Sequence, residues 1–245
     1  MLLYYFRVFA VCVYFFLFSC AAVVFTAIRP FNANNTRNAL RMLRPAYWLM
    51  NLKVIRLNDA PEISPVVYVI NHQDLLDVFL LADIWPKNSS AVGKRELAWV
   101  PVFGTAFWLA GNIFINRADK GKAWQVVEQM ANKINQLNRS IVIMPEGTRS
   151  QGRGLLPFKK GAFSAAIKAG VPVVPICVCS TENIDLRDWR PSPAILEFLE
   201  PISTEGLTED DAEELAQSTH DLMKTKIAEL DQRVADKNFT PLNQA

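Results

Sequence analysis

Two histidines occur in the 245 residues of this chain, and His72 stands where it could do chemistry. Asp77 lies five residues further on. A histidine held by a carboxylate has a fixed tautomer and can act as a general base. Cations follow downstream: Lys94 after the short run SAVG, Arg117 after Gly111-Asn-Ile-Phe-Ile-Asn, and Arg149 in the block Pro145-Glu146-Gly147-Thr148-Arg149. A base among several cations suggests an anionic substrate, most simply a phosphate, which arginine contacts with two parallel hydrogen bonds. Gly147 lets the backbone approach a ligand or turn an N–H towards it. Each residue alone has a plain reading: histidines cap or pack, and cations at strand ends are commonly solvated. The set, in one order, is what points to a site.

These residues need elements to carry them. Val66, Val67, Tyr68, Val69 and Ile70 form a buried-strand pattern. Leu75, Leu76, Phe79, Leu80 and Leu81 then supply the apolar face of a helix. His72 therefore falls where a strand hands over to a helix, the usual place for ligands in an open α/β sheet. On one continuous helix, side chains five residues apart point about 140° away from each other. With His72 as the last loop residue, the Asp77 carboxylate can instead fold back towards the ring. Further strands are expected at the start of the 52–63 segment, at 90–94, 111–117 and 140–144, from Val171, and at 194–199. A helix over Ala123, Val127, Met130, Ile134 and Leu137 has a clear apolar stripe. Thr208 and Asp211 can cap the final helix, on which His220 is expected to be solvated. Strands alternating with helices make the class α/β: a central sheet flanked by helices, with its strand ends gathered along one edge.

Hydrophobic residues make up 51% of the chain, and the formal net charge is +2. That excludes the broad basic surface of a nucleic-acid binder. From Val8 to Ile28 no residue is charged, and those 21 residues as a helix span about 30 Å, a bilayer's hydrocarbon thickness. A membrane anchor is the preferred reading over a cleaved signal peptide, whose apolar run is normally shorter, and over a lipoprotein signal at Leu17-Phe18-Ser19-Cys20, where Phe18 is bulky. Arg7 alone precedes the run, while Arg29, Arg37, Arg41 and Arg44 follow it, which places the rest of the chain on the cytoplasmic side. The 36–50 segment reads as a second membrane element, a basic amphipathic helix kinked at Pro45 on an anionic leaflet surface, in preference to an ordinary surface helix packed on the domain. Residues 1–50 are thus expected to anchor, and residues 51–245 to form the catalytic domain. Cys12, Cys20, Cys177 and Cys179 lack any metal or disulfide framework and read as apolar filling.

Four blocks taken together resemble a known family: Asn71-His72-x4-Asp77, Gly111-x-Ile-Phe-Ile-x-Arg117, Pro145-Glu146-Gly147-Thr148-Arg149 and Val171-Pro-Val-Val-Pro175. They are similar, in order, to those of the glycerolipid acyltransferases, in particular the bacterial type that acylates lysophosphatidic acid. The resemblance covers most of residues 65–180; Met144 replaces a phenylalanine found in many members. It implies transfer of an acyl group from a thioester, acyl-carrier protein (acyl-ACP) or coenzyme A (acyl-CoA), to the sn-2 hydroxyl of 1-acyl-glycerol 3-phosphate, giving phosphatidic acid. By the same resemblance His72 and Asp77 are catalytic, and Arg117, Glu146, Gly147, Thr148 and Arg149 bind the acceptor; Lys94, with Lys159 and Lys160 a cation flanking a strand end, is a weaker phosphate candidate from its position alone. No cofactor beyond the thioester and no metal is implied. The expected partners are lysophosphatidic acid, the thioester donor and membrane lipids, at a bacterial inner membrane with the catalytic domain facing the cytoplasm. Alternatives are a relative acting on glycerol 3-phosphate or another lysophospholipid, a thioester hydrolase using the same pair, and a non-enzymatic lipid-binding protein.

Overall fold

The computed structural model describes residues 1–116, 123–182, 184–188 and 190–240. Seven strands form one sheet: β1 (Leu52–Arg56), β2 (Val67–Ile70), β3 (Ser89–Lys94), β4 (Ile113–Ile115), β5 (Ser140–Ile143), β6 (Val173–Val178) and β7 (Ser192–Phe198). Their order is β1-β7-β6-β2-β5-β3-β4. Strands β6, β2, β5, β3 and β4 run parallel, while β7 opposes β6 and carries β1 alongside it. Every residue of β2, β5 and β6 is buried. That is why these strands read as unbroken apolar runs without alternation: helices cover both faces of a parallel sheet.

The flanking helices are α4 (Asp77–Ile84), α5 (Phe103–Leu109), α6 (Ala123–Leu137), α7 (Gly161–Ala169) and α8 (Ala212–Ala235). Helix α6 packs on α7, and α8 packs on α7, β6 and β7. The turn before α8 carries a capping box in which Thr208 and Asp211 bond reciprocally, as their spacing predicts. His220 departs from expectation. Instead of being solvated, it meets the Phe158 ring edge-to-face at 5.1 Å, and its Nε2 is buried without a hydrogen-bond partner among the described residues. The neighbour that covers it lies far away in sequence, so no helical pattern on α8 could reveal it.

Three helices precede the sheet: α1 (Leu2–Ile28), α2 (Asn35–Arg41) and α3 (Ala46–Met50). Helix α1 begins ahead of the uncharged run and takes in Arg7. The guanidinium is buried and donates from Nη1 to the carbonyls of Leu186 at 2.7 Å and Asp188 at 2.6 Å, which is how a charge is held within an apolar helix. Phe18, Ser19, Ala22 and Thr26 are buried, and α1 packs on α3 and α5; much of the remaining apolar surface faces outward. At 27 residues the helix is about 40 Å long, enough to cross a membrane, and is a candidate anchor. Pro45 divides the 36–50 segment into α2 and α3. Leu43, Ala46 and Met50 are buried in the main core, Arg37 donates to the Trp85 carbonyl at 3.2 Å, and Arg44 pairs with Asp83. Trp48 points outward.

Candidate active site

His72 sits in the short loop between β2 and α4, and Asp77 is the first residue of α4. The loop folds back on itself: Asp77 Oδ2 accepts from Gln73 N at 2.7 Å, from Asp74 N at 3.1 Å and from His72 Nδ1 at 2.7 Å. A negative oxygen at a helix start, fed by backbone N–H groups, is favoured by the helix dipole. With Nδ1–H committed to the carboxylate, the imidazole is held as the tautomer whose Nε2 carries the lone pair. Asp77 is 3% exposed, and its Oδ1 is buried without a hydrogen-bond partner among the described residues. Burial pushes its pKa up, and the bonds from His72 and Gln73 oppose that rise. A desolvated carboxylate gains more than a solvated one when the adjacent ring becomes an imidazolium.

The loop after β5 locks onto the histidine loop. Glu146 Oε1 accepts from His72 N at 2.6 Å, and its Oε2 accepts from Leu156 N at 3.0 Å. Ser150 N donates to His72 O at 2.9 Å, and Gln151 N to Gln73 O at 3.0 Å. Glu146 is 4% exposed; burial raises its pKa, against the pull of the two backbone donors. Both carboxylate oxygens are thus engaged with main chain, where resemblance alone pointed to an acceptor contact. Gly147 has φ +73, and a Cβ there would fall 2.7 Å from Lys159 Nζ. The Lys159 ammonium therefore rests against the Gly147 backbone, and Lys159 is one of the cations that the sequence places beside the strand ends. The Gly147 N–H closes a turn onto Met144 O at 3.2 Å, so it bends this loop. Thr148 and Arg149, next in this loop, are exposed.

On the other side, Asn71 makes a two-bond amide clasp with Val178, and Gln73 bonds Cys179 O and Thr181 N beyond the end of β6. These amides hold the histidine loop, and no spacing rule marks them. A cavity of about 640 Å³ opens here, lined by Asn71, Gln73, Asp74, Ser150 and Thr181 among others, within the size range of small-molecule sites. Lys94 ends β3, on the opposite flank; it is exposed and pairs with Glu96 at 3.2 Å. Ile115 ends β4 beside it, and Arg117 lies outside the described residues. Four parallel strands thus bring His72, Lys94, Glu146 and Thr181 to one edge of the sheet, with cations on the β5 and β3 flank and amides on the β6 flank. Among the described residues no cluster of three or more His, Cys, Asp or Glu could hold a metal.

An acyltransferase family model matches residues 51–179. A 1-acyl-sn-glycerol-3-phosphate acyltransferase of Haemophilus influenzae is 40% identical, over 95% of this chain and 98% of its own. The Escherichia coli protein of the same name is 37% identical, over 96% of this chain and 98% of its own. A crystal structure of the 1-acyl-sn-glycerophosphate acyltransferase from Thermotoga maritima superposes with a TM-score of 0.68 at 25% identity, covering 94% of this chain and 95% of that one. With a matching domain, near full-length relatives and a shared fold, the chain belongs to the acyltransferase family, in its 1-acyl-sn-glycerol-3-phosphate acyltransferase branch.

Proposed function

We infer that the protein moves a fatty acyl group from a thioester to the sn-2 hydroxyl of lysophosphatidic acid, forming phosphatidic acid for phospholipid synthesis. The observation that carries this reading is the 2.7 Å contact between His72 Nδ1 and Asp77 Oδ2 at the strand-end edge of the sheet. An unassisted alcohol is a poor nucleophile. His72 Nε2 takes the hydroxyl proton as the oxygen attacks the thioester carbonyl, and Asp77 stabilises the imidazolium that forms. Collapse of the tetrahedral intermediate expels the thiolate, which leaves as thiol with the proton from His72. General-base assistance of this kind contributes roughly 10²–10⁴-fold.

The cationic flank suits the acceptor's phosphate, with Arg149, Lys159, Lys94 and Arg117 as its contacts and Thr148 beside Arg149. Glu146 and Gly147 set the loop that presents them. The cavity beside β6, lined by the amides of Asn71, Gln73 and Gln151 and the hydroxyls of Ser150, Ser180 and Thr181 together with the carboxyl groups of Asp74, Glu146, Glu182 and Asp231, offers hydrogen-bond partners to the amide-bearing arm shared by acyl-carrier protein and coenzyme A, either of which can serve as donor. The reaction needs no cofactor besides that thioester. Membrane residence through α1, at the bacterial inner membrane with the catalytic domain in the cytoplasm, fits an acceptor whose own acyl chain keeps it in the bilayer. Extracting that chain into water would cost about 0.8 kcal/mol per CH₂.

The reading is tested by supplying the full chain in membranes with labelled acyl thioester and, in parallel, lysophosphatidate, glycerol 3-phosphate or no acceptor. Labelled phosphatidate only with the first supports it. Transfer only to glycerol 3-phosphate, or release of labelled fatty acid without acceptor, replaces it with another acyltransferase or with a hydrolase.

A further inference from the structure

The 3-10 turn Arg95–Trp99 and helix α5 form a hairpin between β3 and β4. Its two arms touch through backbone: a Cβ at Gly104 would lie 2.4 Å from the Ala98 carbonyl oxygen. At the tip Val102 has φ +65, a strained conformation for a β-branched residue. The hairpin turns Trp99 outward, 81% exposed, together with Val100 and with Trp108, 53% exposed. A tight, strained turn that displays tryptophan to water has no folding rationale, because burial is what stabilises such side chains.

The inner side of the hairpin is built into the anchor. An unbroken series of ring contacts runs Phe15–Phe103 at 5.8 Å, Phe103–Phe107 at 6.0 Å and Phe107–Phe114 at 5.0 Å, from α1 through α5 into β4. Trp108 meets Phe31, just past the end of α1, edge-to-face at 4.9 Å, and Phe31 N bonds Leu109 O at 2.7 Å. These contacts seat the hairpin directly against α1, whose Phe9, Phe16 and Leu17 side chains are exposed. Exposed Lys94 and Arg95 precede the tip. Tryptophan beside lysine and arginine, next to a long apolar helix, is the signature of the membrane–water boundary.

We propose that this hairpin is a second membrane contact, with Trp99, Val100 and Trp108 entering the boundary between headgroups and acyl chains beside α1. The contact places Lys94, five residues before Trp99 and at the site edge of β3, at headgroup level. Lysophosphatidate then enters laterally from the leaflet on the β3 and β4 flank. The entry route rests on the acylation reading above; the contact rests only on membrane binding by α1.

The test is tryptophan fluorescence of the full chain on phosphatidylethanolamine–phosphatidylglycerol vesicles whose acyl chains carry bromine, comparing wild type with Trp99→Ser/Trp108→Ser. The prediction is co-sedimentation of both proteins, clear bromine quenching of wild type and a marked loss of that quenching in the variant. For long-chain lysophosphatidate in vesicles the variant should show a KM raised about tenfold. Its turnover of a short-chain, water-soluble lysophosphatidate should match wild type, which also shows that it folds. Equal quenching of the two proteins, or wild type that fails to bind vesicles, overturns the membrane contact whatever the enzymatic activity. Normal quenching behaviour with unchanged kinetics on both acceptors keeps the contact and overturns the entry route.

Discussion

Glu146 offers the sharpest test of how the site is built. Its two oxygens accept from His72 N at 2.6 Å and Leu156 N at 3.0 Å. In Glu146→Gln one oxygen becomes an NH₂ that faces a backbone N–H, so one bond is lost and two donors are opposed. A hydrogen bond to a charged group contributes about 1.5–3 kcal/mol. Part of that loss is offset, because burial already disfavours the Glu146 carboxylate and glutamine removes that charge. Thermal stability should fall by only a few degrees, at about 2–4 °C per kcal/mol for a chain of this size. The catalytic effect is larger, because the bond positions the backbone of the base itself. If most of the lost bond is expressed in the transition state, kcat drops roughly ten- to hundredfold while KM for lysophosphatidate holds. Steady-state kinetics in detergent micelles, paired with a melting curve, reads both. A raised acceptor KM with kcat intact would refute this reasoning and make Glu146 an acceptor contact.

Other perturbations have equally definite outcomes. Gly147→Ala places a methyl group 2.7 Å from Lys159 Nζ at a backbone φ of +73; acceptor KM should rise with little change in donor KM, and an unchanged acceptor KM would remove Lys159 from the phosphate site. Arg7→Leu deletes the two guanidinium bonds to the 186–188 loop, so protease cleavage in that loop should quicken while vesicle binding persists. Burial pushes the pKa of Lys133 down to about 8 from an ordinary 10.5. Between those values the unfolded chain holds more protons than the folded one, so this group's contribution to stability rises with pH across that window. Lys133 Nζ donates to the Gly111 carbonyl, so Lys133→Met should abolish that rise in urea melts at successive pH values; it should lose little at pH 7, because the Ser90 hydroxyl still donates to the same carbonyl at 3.1 Å.

Much of this arrangement is legible in the residues because parallel strands advertise themselves. The VVYVI and SIVIM runs are apolar on both faces, so β2 and β5 and the residues that follow them could be placed at one edge. The contact between His72 and Asp77 was a possibility that spacing could not decide. It exists because Gln73 N and Asp74 N converge on the same Asp77 oxygen and turn the loop back. Glu146 could be assigned to the site but not to its job there, since its partners are main-chain groups that no residue type betrays. Likewise Arg7 read as a flanking charge until carbonyls 179 and 181 residues away took up its guanidinium. His220 read as solvated because the Phe158 ring that covers it belongs to another loop.

In the proposed reaction His72, held by Asp77, removes the proton from the acceptor hydroxyl. The most direct test of that role is acyl transfer from a labelled thioester to lysophosphatidate in reconstituted membranes, with wild type and His72→Ala matched for folding by their melting curves. Labelled phosphatidate is expected from wild type, with a loss of roughly 10²–10⁴-fold in the variant's kcat. Near-wild-type transfer by a folded His72→Ala protein would contradict that role.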